Sequence, residues 1–168
     1  MERLVNDVLT MTRVARSDIK LHPIPLQPFI AEIIEQHPSM QPPHAEVALH
    51  APHAVEADDA ALNQALSNLL GNAVKFVAPG TKPVVKVHSK KIGDRVRIWV
   101  DDEGLGIPPQ HWNKLFGMFQ RLPGSLHFEG TGIGLAIVRR AVERMGGQVG
   151  MEPNTPQGSR FWIELKEA

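Results

Sequence analysis

The chain has 168 residues, 42% of them hydrophobic, and its 18 Lys and Arg side chains balance its 18 Asp and Glu side chains. A chain of this length and composition can bury one sizeable core. Its neutral charge argues against binding to nucleic acid or contact with a membrane through a polybasic segment. No apolar run approaches the length of a membrane span or a signal-peptide core. The absence of cysteine removes disulfides, thiolate metal sites and thiol nucleophiles, and it fits a cytoplasmic location.

The N-terminal part of the chain predicts two helices joined by an extended connector. Apolar and polar side chains recur at helical spacing over residues 2–16, which indicates an amphipathic helix. Pro23 and Pro25 favour an extended connector after it. A second helix is predicted to begin near Phe29 and to end before Pro38, where a loop follows.

Strands are predicted from alternating apolar and polar side chains and from the turns between them. A hairpin turn is expected at Ile92-Gly93, and Gly158-Ser159 precedes the last strand. The predicted strands cover residues 47–50, 55–56, 83–88, 94–100, 148–151 and 160–165.

A third helix is predicted to begin at Asp58, which is a typical N-cap residue. Asn68, Asn72 and Lys75 lie at i, i+4 and i+7, so they share one face of this helix. Amide oxygens are ligands that Mg²⁺ accepts beside phosphate oxygens and water, and an ammonium neutralises phosphate charge. The alternative is a surface helix whose polar side chains are simply solvated. The other faces of the helix carry apolar residues, namely Leu62, Leu66, Leu69, Leu70 and Val74.

Two acids and a glycine-rich segment follow the strand that ends at residue 100. Gly104 and Gly106 allow positive φ and a close approach of the backbone to a ligand. Ile107 follows them directly as an apolar residue. The alternative is a hairpin-like turn whose acids face water.

Three glycines at alternate positions, Gly130, Gly132 and Gly134, precede a fourth helix. A glycine-rich entry to a helix N-terminus presents unpaired N–H groups that suit a polyphosphate. The spacing differs from the G-x-G-x-x-G of dinucleotide-binding folds, and no Gly-Lys-Ser/Thr of a P-loop occurs. An ordinary flexible loop before a core helix is the alternative. Upstream of the glycines, Phe116 and Phe119 flank an apolar turn that Arg121 follows.

In this order, the four segments resemble the N, G1, F and G2 boxes of the catalytic, ATP-binding domain of sensor histidine kinases. That family shares its fold with gyrase-, Hsp90- and MutL-type ATPases, and the resemblance runs from about Leu26 to Leu165. Gly158-Ser159 resembles the last glycine box of the family. The resemblance implies an α+β fold, a two-layer α/β sandwich in which a mixed sheet of about five strands carries three main helices on one face.

The resemblance also implies a site for ATP and Mg²⁺. Asp102, rather than Asp101, matches the aspartate that accepts a hydrogen bond from the adenine amino group, and Ile107 would form an apolar wall for the base. Asn72 would bind Mg²⁺, with Asn68 as a second candidate ligand. Asn68, Lys75 and Arg121 are the implied catalytic residues. The nucleotide-binding set is Asn68, Asn72, Lys75, Asp102, Gly104, Gly106, Ile107, Gly130, Thr131, Gly132, Gly134 and Leu135.

The reaction depends on Asn68. In the ATPase branch of the superfamily a glutamate at this position activates water, whereas an amide cannot act as a general base. Poor hydrolysis and phosphate transfer to a histidine are therefore expected. An ATPase or protein-serine kinase on the same fold is the main alternative, and a nucleotide-binding interaction module without phosphotransfer is a further one.

The family's phosphate acceptor is a histidine that Glu or Asp usually follows, and none of the eight histidines here has such a neighbour. We therefore interpret the chain as a piece of a longer kinase; a naturally short protein is the alternative. Expected parts are the end of a dimerisation helix (1–20), a linker (21–26) and the catalytic domain (27–168). Expected partners are the dimerisation domain of a homodimeric parent and, indirectly, a response regulator. Neither nucleic acid nor a membrane is an expected partner of this segment.

Overall fold

The computed structural model describes residues 2–16, 18–75, 77, 80–107, 116, 134–155 and 157–168. Four α-helices and seven strands lie within these residues. The helices are α1 (Glu2–Arg16), α2 (Leu26–Glu35), α3 (Asp59–Lys75) and α4 (Gly134–Arg144). The strands are β1 (His22–Pro25), β2 (Glu46–His50), β3 (Ala54–Ala57), β4 (Val84–Ile92), β5 (Arg95–Asp102), β6 (Gln148–Pro153) and β7 (Ser159–Lys166).

Five strands form a mixed sheet in the order β2-β4-β5-β7-β6. β2 runs parallel to β4, and the other neighbouring pairs are antiparallel. Alternate residues of β4 and β5 enter the core on one face of the sheet, where α2, α3 and α4 pack. The predicted two-layer sandwich with a sheet of about five strands and three helices on one face is therefore confirmed.

The opposite face of the sheet carries a layer of tryptophan and arginine side chains. Arg97 lies 3.7 Å from the ring centre of Trp162, and Arg160 lies 4.4 Å from that of Trp99. Arg160 also contacts Asp101 with a 3.1 Å ion pair. Trp99 is buried because the guanidinium groups of Arg97 and Arg160 lie over its ring.

The predicted extended connector is a short strand. β1 pairs antiparallel with β3 in a separate two-stranded sheet, and Ile24 is buried between the exposed residues Pro23 and Pro25. Prolines are tolerated in a strand of this kind because only one neighbour needs hydrogen bonds from it. The second helix begins at Leu26, directly after the β1 strand, rather than near Phe29.

Two further boundaries differ from the sequence prediction. The loop after the second helix opens with a short 3-10 helix, Pro38–Met40. The β4–β5 turn consists of Gly93 and Asp94, one residue later than expected, because Ile92 still pairs with Arg95. Gly93 has a φ of +63°, which an L side chain rarely adopts.

The start of α3 matches the sequence prediction. The side chain of Asp58 accepts a hydrogen bond of 3.0 Å from the N–H of Ala61, which is the expected N-cap contact. The second carboxylate oxygen of Asp58 accepts from the N–H of Lys20 at 3.0 Å. His22, the first residue of β1, contacts Asp59 at 2.7 Å. Lys20 and His22 therefore hold the start of β1 against the beginning of α3.

α1 packs along α4. Arg144, in the last turn of α4, donates a hydrogen bond of 2.7 Å to the carbonyl of Val14 near the end of α1. The predicted helix over residues 2–16 is confirmed with these bounds. Among the described residues, no helix combines the length and apolarity needed to cross a membrane.

Candidate active site

The polar face of α3 carries the predicted amide and ammonium groups. Asn68, Asn72 and Lys75 are each half-buried at the edge of the helix. The buried side of the helix begins directly beside these residues and enters the core through Ala61, Leu62, Ala65, Leu66, Leu69, Leu70 and Ala73. The helix therefore holds its three candidate residues on one side while the core fixes its rotation about its axis.

Asn68 lies beside the first residue of α4. Its side-chain NH₂ donates a 2.8 Å hydrogen bond to the carbonyl of Gln64 in the preceding turn. This bond fixes the orientation of the amide, and a Cβ placed on Gly134 would lie 3.3 Å from its Oδ1 atom. The structure thus brings the asparagine-bearing helix and the end of the glycine-rich segment together.

The two neighbouring aspartates of β5 have different environments. Asp102 is 8% exposed and lies on the core side of the sheet. Asp101 lies on the other face, where it contacts His88 at 2.8 Å and Arg160 at 3.1 Å. The carboxylate of Asp101 is therefore engaged by an ion pair with Arg160 and a hydrogen bond with His88, whereas that of Asp102 borders the loop predicted to contact the nucleotide.

Backbone N–H groups hold the carboxylate of Asp102. The N–H of Gly104 donates to Oδ1 at 3.0 Å, and the N–H of Ser159 donates to the same atom at 3.1 Å. Since both bonds end on Oδ1, the second oxygen, Oδ2, is the one that can accept a hydrogen bond from a ligand.

Burial raises the pKa of Asp102 from 3.8 to about 6. The hydrogen bonds from Gly104 and Ser159 act in the opposite direction, because they stabilise the charged form, and the charge of Asp101 raises the pKa further. Asp102 is thus ionised at pH 7 at an energetic cost. A raised pKa of this kind is common among functional carboxylates.

A turn between β6 and β7 contacts the segment around Asp102. The side chain of Asn154 donates a 2.8 Å hydrogen bond to the carbonyl of Asp102, and that of Gln157 donates a 2.7 Å bond to the carbonyl of Gly104. Gly158, at a φ of +108°, packs so closely on the Asp102 backbone that a Cβ there would collide with its carbonyl. The sequence indicated the Gly158-Ser159 pair but gave no signal for Asn154 and Gln157.

The remaining described candidates lie around the same loop and at the start of α4. Gly106 has a φ of +75°, as glycine permits, whereas Gly104 is buried without a positive φ. Ile107 and Leu135 pack against the core. Phe116 meets Phe161 of β7 edge to face, with 6.2 Å between the ring centres.

Several predicted residues lie outside the described part of the chain. Arg121, Gly130, Thr131, Gly132 and Phe119 belong to this set. Their predicted roles remain predictions.

The described residues could bind Mg²⁺ only together with the phosphate groups of a nucleotide. In the part of the chain that the structure describes, no group of three His, Asp or Glu side chains could hold a metal ion. The available donors on α3 are the neutral amide oxygens of Asn68 and Asn72. Mg²⁺ commonly takes one or two protein oxygens and completes its shell with phosphate and water, so this donor set is suitable.

Comparison with known proteins identifies the family. Residues 57–168 match the model of the histidine kinase-, DNA gyrase B- and HSP90-like ATPase domain. Sensor histidine kinase AruS of Pseudomonas aeruginosa is 42% identical over 111 residues, which cover 64% of this chain and 11% of that protein. The first curated relatives are much longer, and the chain spans between 11% and 22% of their lengths.

Solved structures agree with this match. The crystal structure of full-length ShkA in complex with AMPPNP is 34% identical with a TM-score of 0.81, and the match covers 98% of this chain and 35% of that one. The mycobacterial sensor histidine kinase MprB is 28% identical with a TM-score of 0.77, over 87% of this chain and 98% of that one. The chain therefore belongs to the histidine kinase-, DNA gyrase B- and HSP90-like ATPase family, as an ATP-binding catalytic domain of the sensor histidine kinase type.

Proposed function

We propose that this chain binds Mg²⁺-ATP and transfers the γ-phosphate to a histidine on a dimerisation domain that is not part of the chain. The observation that carries the proposal is the buried carboxylate of Asp102, whose Oδ1 is held by two N–H groups. Its Oδ2 is suited to accept a hydrogen bond from the exocyclic amino group of adenine. Support also comes from ShkA, which was solved in complex with the ATP analogue AMPPNP.

The phosphates would lie between the polar face of α3 and the N-terminus of α4. The approach of Asn68 to Gly134 supports this position, because unpaired N–H groups at a helix N-terminus attract phosphate. Asn72, with Asn68 as a second ligand, would hold Mg²⁺, which neutralises phosphate charge when it is bound. Lys75 and Arg121 would supply further positive charge at the γ-phosphate.

The proposed chemistry is an in-line displacement at the γ-phosphorus. A neutral imidazole nitrogen of the acceptor histidine forms the new N–P bond while the bond to the bridging oxygen of ADP breaks. A base beside that histidine, outside this chain, takes the imidazole proton. This chain contributes positioning and charge neutralisation, which dominate the catalysis of phosphoryl transfer.

The identity of Asn68 selects transfer over hydrolysis. Water must lose a proton as it attacks phosphorus, and a neutral amide cannot accept that proton near neutral pH. The hydrogen bond from Asn68 to Gln64 also uses its NH₂ group within the helix. The γ-phosphate is therefore retained for the histidine.

The N-terminal segment supports a parent that dimerises. On α1, Leu4, Met11 and Val14 face the body of the domain, whereas Val5 and Leu9 are 54% and 53% exposed. An exposed apolar stripe on a helix fits packing in a helical bundle. We propose residues 1–20 as the end of a dimerisation helix, 21–26 as a linker and 27–168 as the catalytic domain. The proposed location is the cytoplasm, where ATP is available, and a response regulator would receive the phosphate from the parent.

A transfer assay tests this function. Incubated with Mg²⁺-ATP alone, the chain should bind nucleotide without appreciable turnover and without forming acid-labile phosphohistidine. With the dimerisation domain of its own parent supplied in trans, it should phosphorylate that domain slowly, because the tether that concentrates the two partners is missing.

Two substitutions on α3 sharpen the assay. Asn72→Ala should abolish transfer, whereas Asn63→Ala, on the same helix but outside the proposed site, should not. Asn68→Glu should raise the rate of ATP hydrolysis and lower the rate of phosphate transfer, because it introduces a general base for water. Robust ATP hydrolysis by the unaltered chain would contradict the role of Asn68 and favour an ATPase.

A further inference from the structure

The β6–β7 turn contacts the adenine-side loop through two side-chain amides. Asn154 donates to the carbonyl of Asp102, and Gln157 donates to the carbonyl of Gly104, at 2.8 Å and 2.7 Å. These bonds bracket the backbone segment that carries the candidate carboxylate. They lie beyond the last pairing of β5 with β7, which is Asp101 with Arg160.

The turn itself is held in place independently of this loop. The N–H of Asn154 donates to the carbonyl of Gly158 at 3.1 Å, and the Oδ1 of Asn154 accepts from the N–H of Thr155 at 2.9 Å. With its Oδ1 bound in this way, the amide of Asn154 has its NH₂ group aimed at the Asp102 carbonyl. Gly158 then allows the turn to approach that backbone without a side chain between them.

We propose that Asn154 and Gln157 are positioning residues, which set the Asp102–Gly104 backbone so that the Oδ2 atom of Asp102 meets the adenine amino group. The proposal rests on the proposed function, because it concerns the same nucleotide site. Without the two amides, the backbone between Asp102 and Gly104 would keep its N–H bonds to Oδ1 but lose the bonds to its carbonyls. Oδ1 would still be tied to Ser159 of β7, but the carboxylate could pivot about this atom and change the position of Oδ2.

A positioning role and a purely structural role predict different effects on nucleotides with and without the adenine amino group. If the amides aim Oδ2 at the amino group, their loss must weaken the binding of a nucleotide that has this group and spare one that lacks it. ADP and purine riboside 5′-diphosphate form such a pair, because they differ only in the exocyclic amino group.

The experiment measures the affinity of both nucleotides by calorimetry for the unaltered chain and for three variants. Gln157→Met keeps the approximate size of the side chain and its neutral charge but removes the donor, and Asn154→Ala removes the other amide. Thr155→Ala is the matched control, since the side chain of this exposed residue makes none of these contacts. Circular dichroism and a denaturation curve for each variant verify that it is folded.

We expect Gln157→Met and Asn154→Ala to weaken ADP binding about two- to tenfold, as the loss of one hydrogen bond implies. Binding of purine riboside 5′-diphosphate should stay unchanged, so the preference for ADP should fall by the same factor. In an Asp102→Asn background, Gln157→Met should have no further effect on ADP binding, because the carboxylate that Gln157 positions is gone.

An equal loss of affinity for both nucleotides, or no loss for either, would overturn the positioning role while leaving the nucleotide site in place. If the unaltered chain bound neither nucleotide, the proposed function would fail and the positioning role with it. The two failures are therefore distinguishable.

Discussion

Replacing Asp102 with asparagine should stabilise the fold while it weakens nucleotide binding. The folded chain raises the pKa of Asp102 from 3.8 to about 6, chiefly through burial. A shift of roughly two units at 1.36 kcal/mol per unit corresponds to about 3 kcal/mol against the folded state at pH 7. Asparagine carries no charge, and its side-chain oxygen can still accept from Gly104 and Ser159. We expect Asp102→Asn to raise the free energy of unfolding at pH 7.5 by about 1–3 kcal/mol.

The pH dependence of this gain follows from the direction of the shift. Between about pH 4 and pH 6 the folded chain binds more protons at Asp102 than the unfolded chain does, so the contribution of Asp102 to stability falls as the pH rises. Below about pH 4 the acid is protonated in both states and the penalty disappears. The difference in stability between the variant and the unaltered chain should therefore be smallest near pH 4 and largest above pH 7.

Urea denaturation of both proteins from pH 4 to pH 8 measures this difference. Asp102→Ala is the control, because it removes the charge and also leaves the N–H groups of Gly104 and Ser159 without their acceptor. It should gain less stability than the asparagine variant, or lose some. A difference between Asp102→Asn and the unaltered chain that does not change with pH would refute the argument from burial.

Binding should change in the opposite direction. A charge-assisted hydrogen bond contributes about 1.5–3 kcal/mol, so Asp102→Asn should weaken ADP binding about tenfold or more. Calorimetry at pH 7.5, where Asp102 is ionised, measures the loss. Unchanged ADP affinity would remove Asp102 from the site, whatever the stability data show.

Three further substitutions test the fold. Asp58→Ala removes the cap of α3 and the bond to Lys20, so urea denaturation should show a loss of about 1–2 kcal/mol; no loss would contradict the capping role. Gly150→Ala places a methyl group within the ring of Trp162, so it should cost about 1–3 kcal/mol and change tryptophan fluorescence, and an unaltered emission spectrum would speak against that contact. Leu66→Ala should cost about 2–5 kcal/mol in thermal and urea unfolding, and a loss below about 1 kcal/mol would mean that Leu66 is not in the core.

The sequence predicted the elements whose patterns repeat over many residues. The period of α3, its cap at Asp58 and the alternation along β5 each depend on local residues, and the structure has all three. β1 escaped prediction because its two prolines obscured the one buried position at Ile24, which only the pairing with β3 explains. The start of α2 was misplaced for the same reason, since Leu26 follows that strand directly.

The candidate site was predictable where family motifs carry it and unpredictable where contacts between distant segments do. Asp102 and Asn68 were both indicated by their place in a motif, although their roles remain proposals. The amide of Gln157 contacts a carbonyl 53 residues earlier in the chain. Such a bond depends on how β7 lies beside β5, which no local pattern encodes. The burial that raises the pKa of Asp102 likewise arises only when the sheet and helices assemble.

Helix α4 connects the end of α1 with the polar face of α3. Its last turn is bound to the carbonyl of Val14 through Arg144, and its first residue lies against Asn68. The two ends of this 11-residue helix are ten steps apart, or about 15 Å at 1.5 Å per residue. A rotation or shift of α1 must therefore either break the bond to Arg144 or displace α4 along its axis. In the second case the N–H groups at the N-terminus of α4 would move relative to the amide of Asn68.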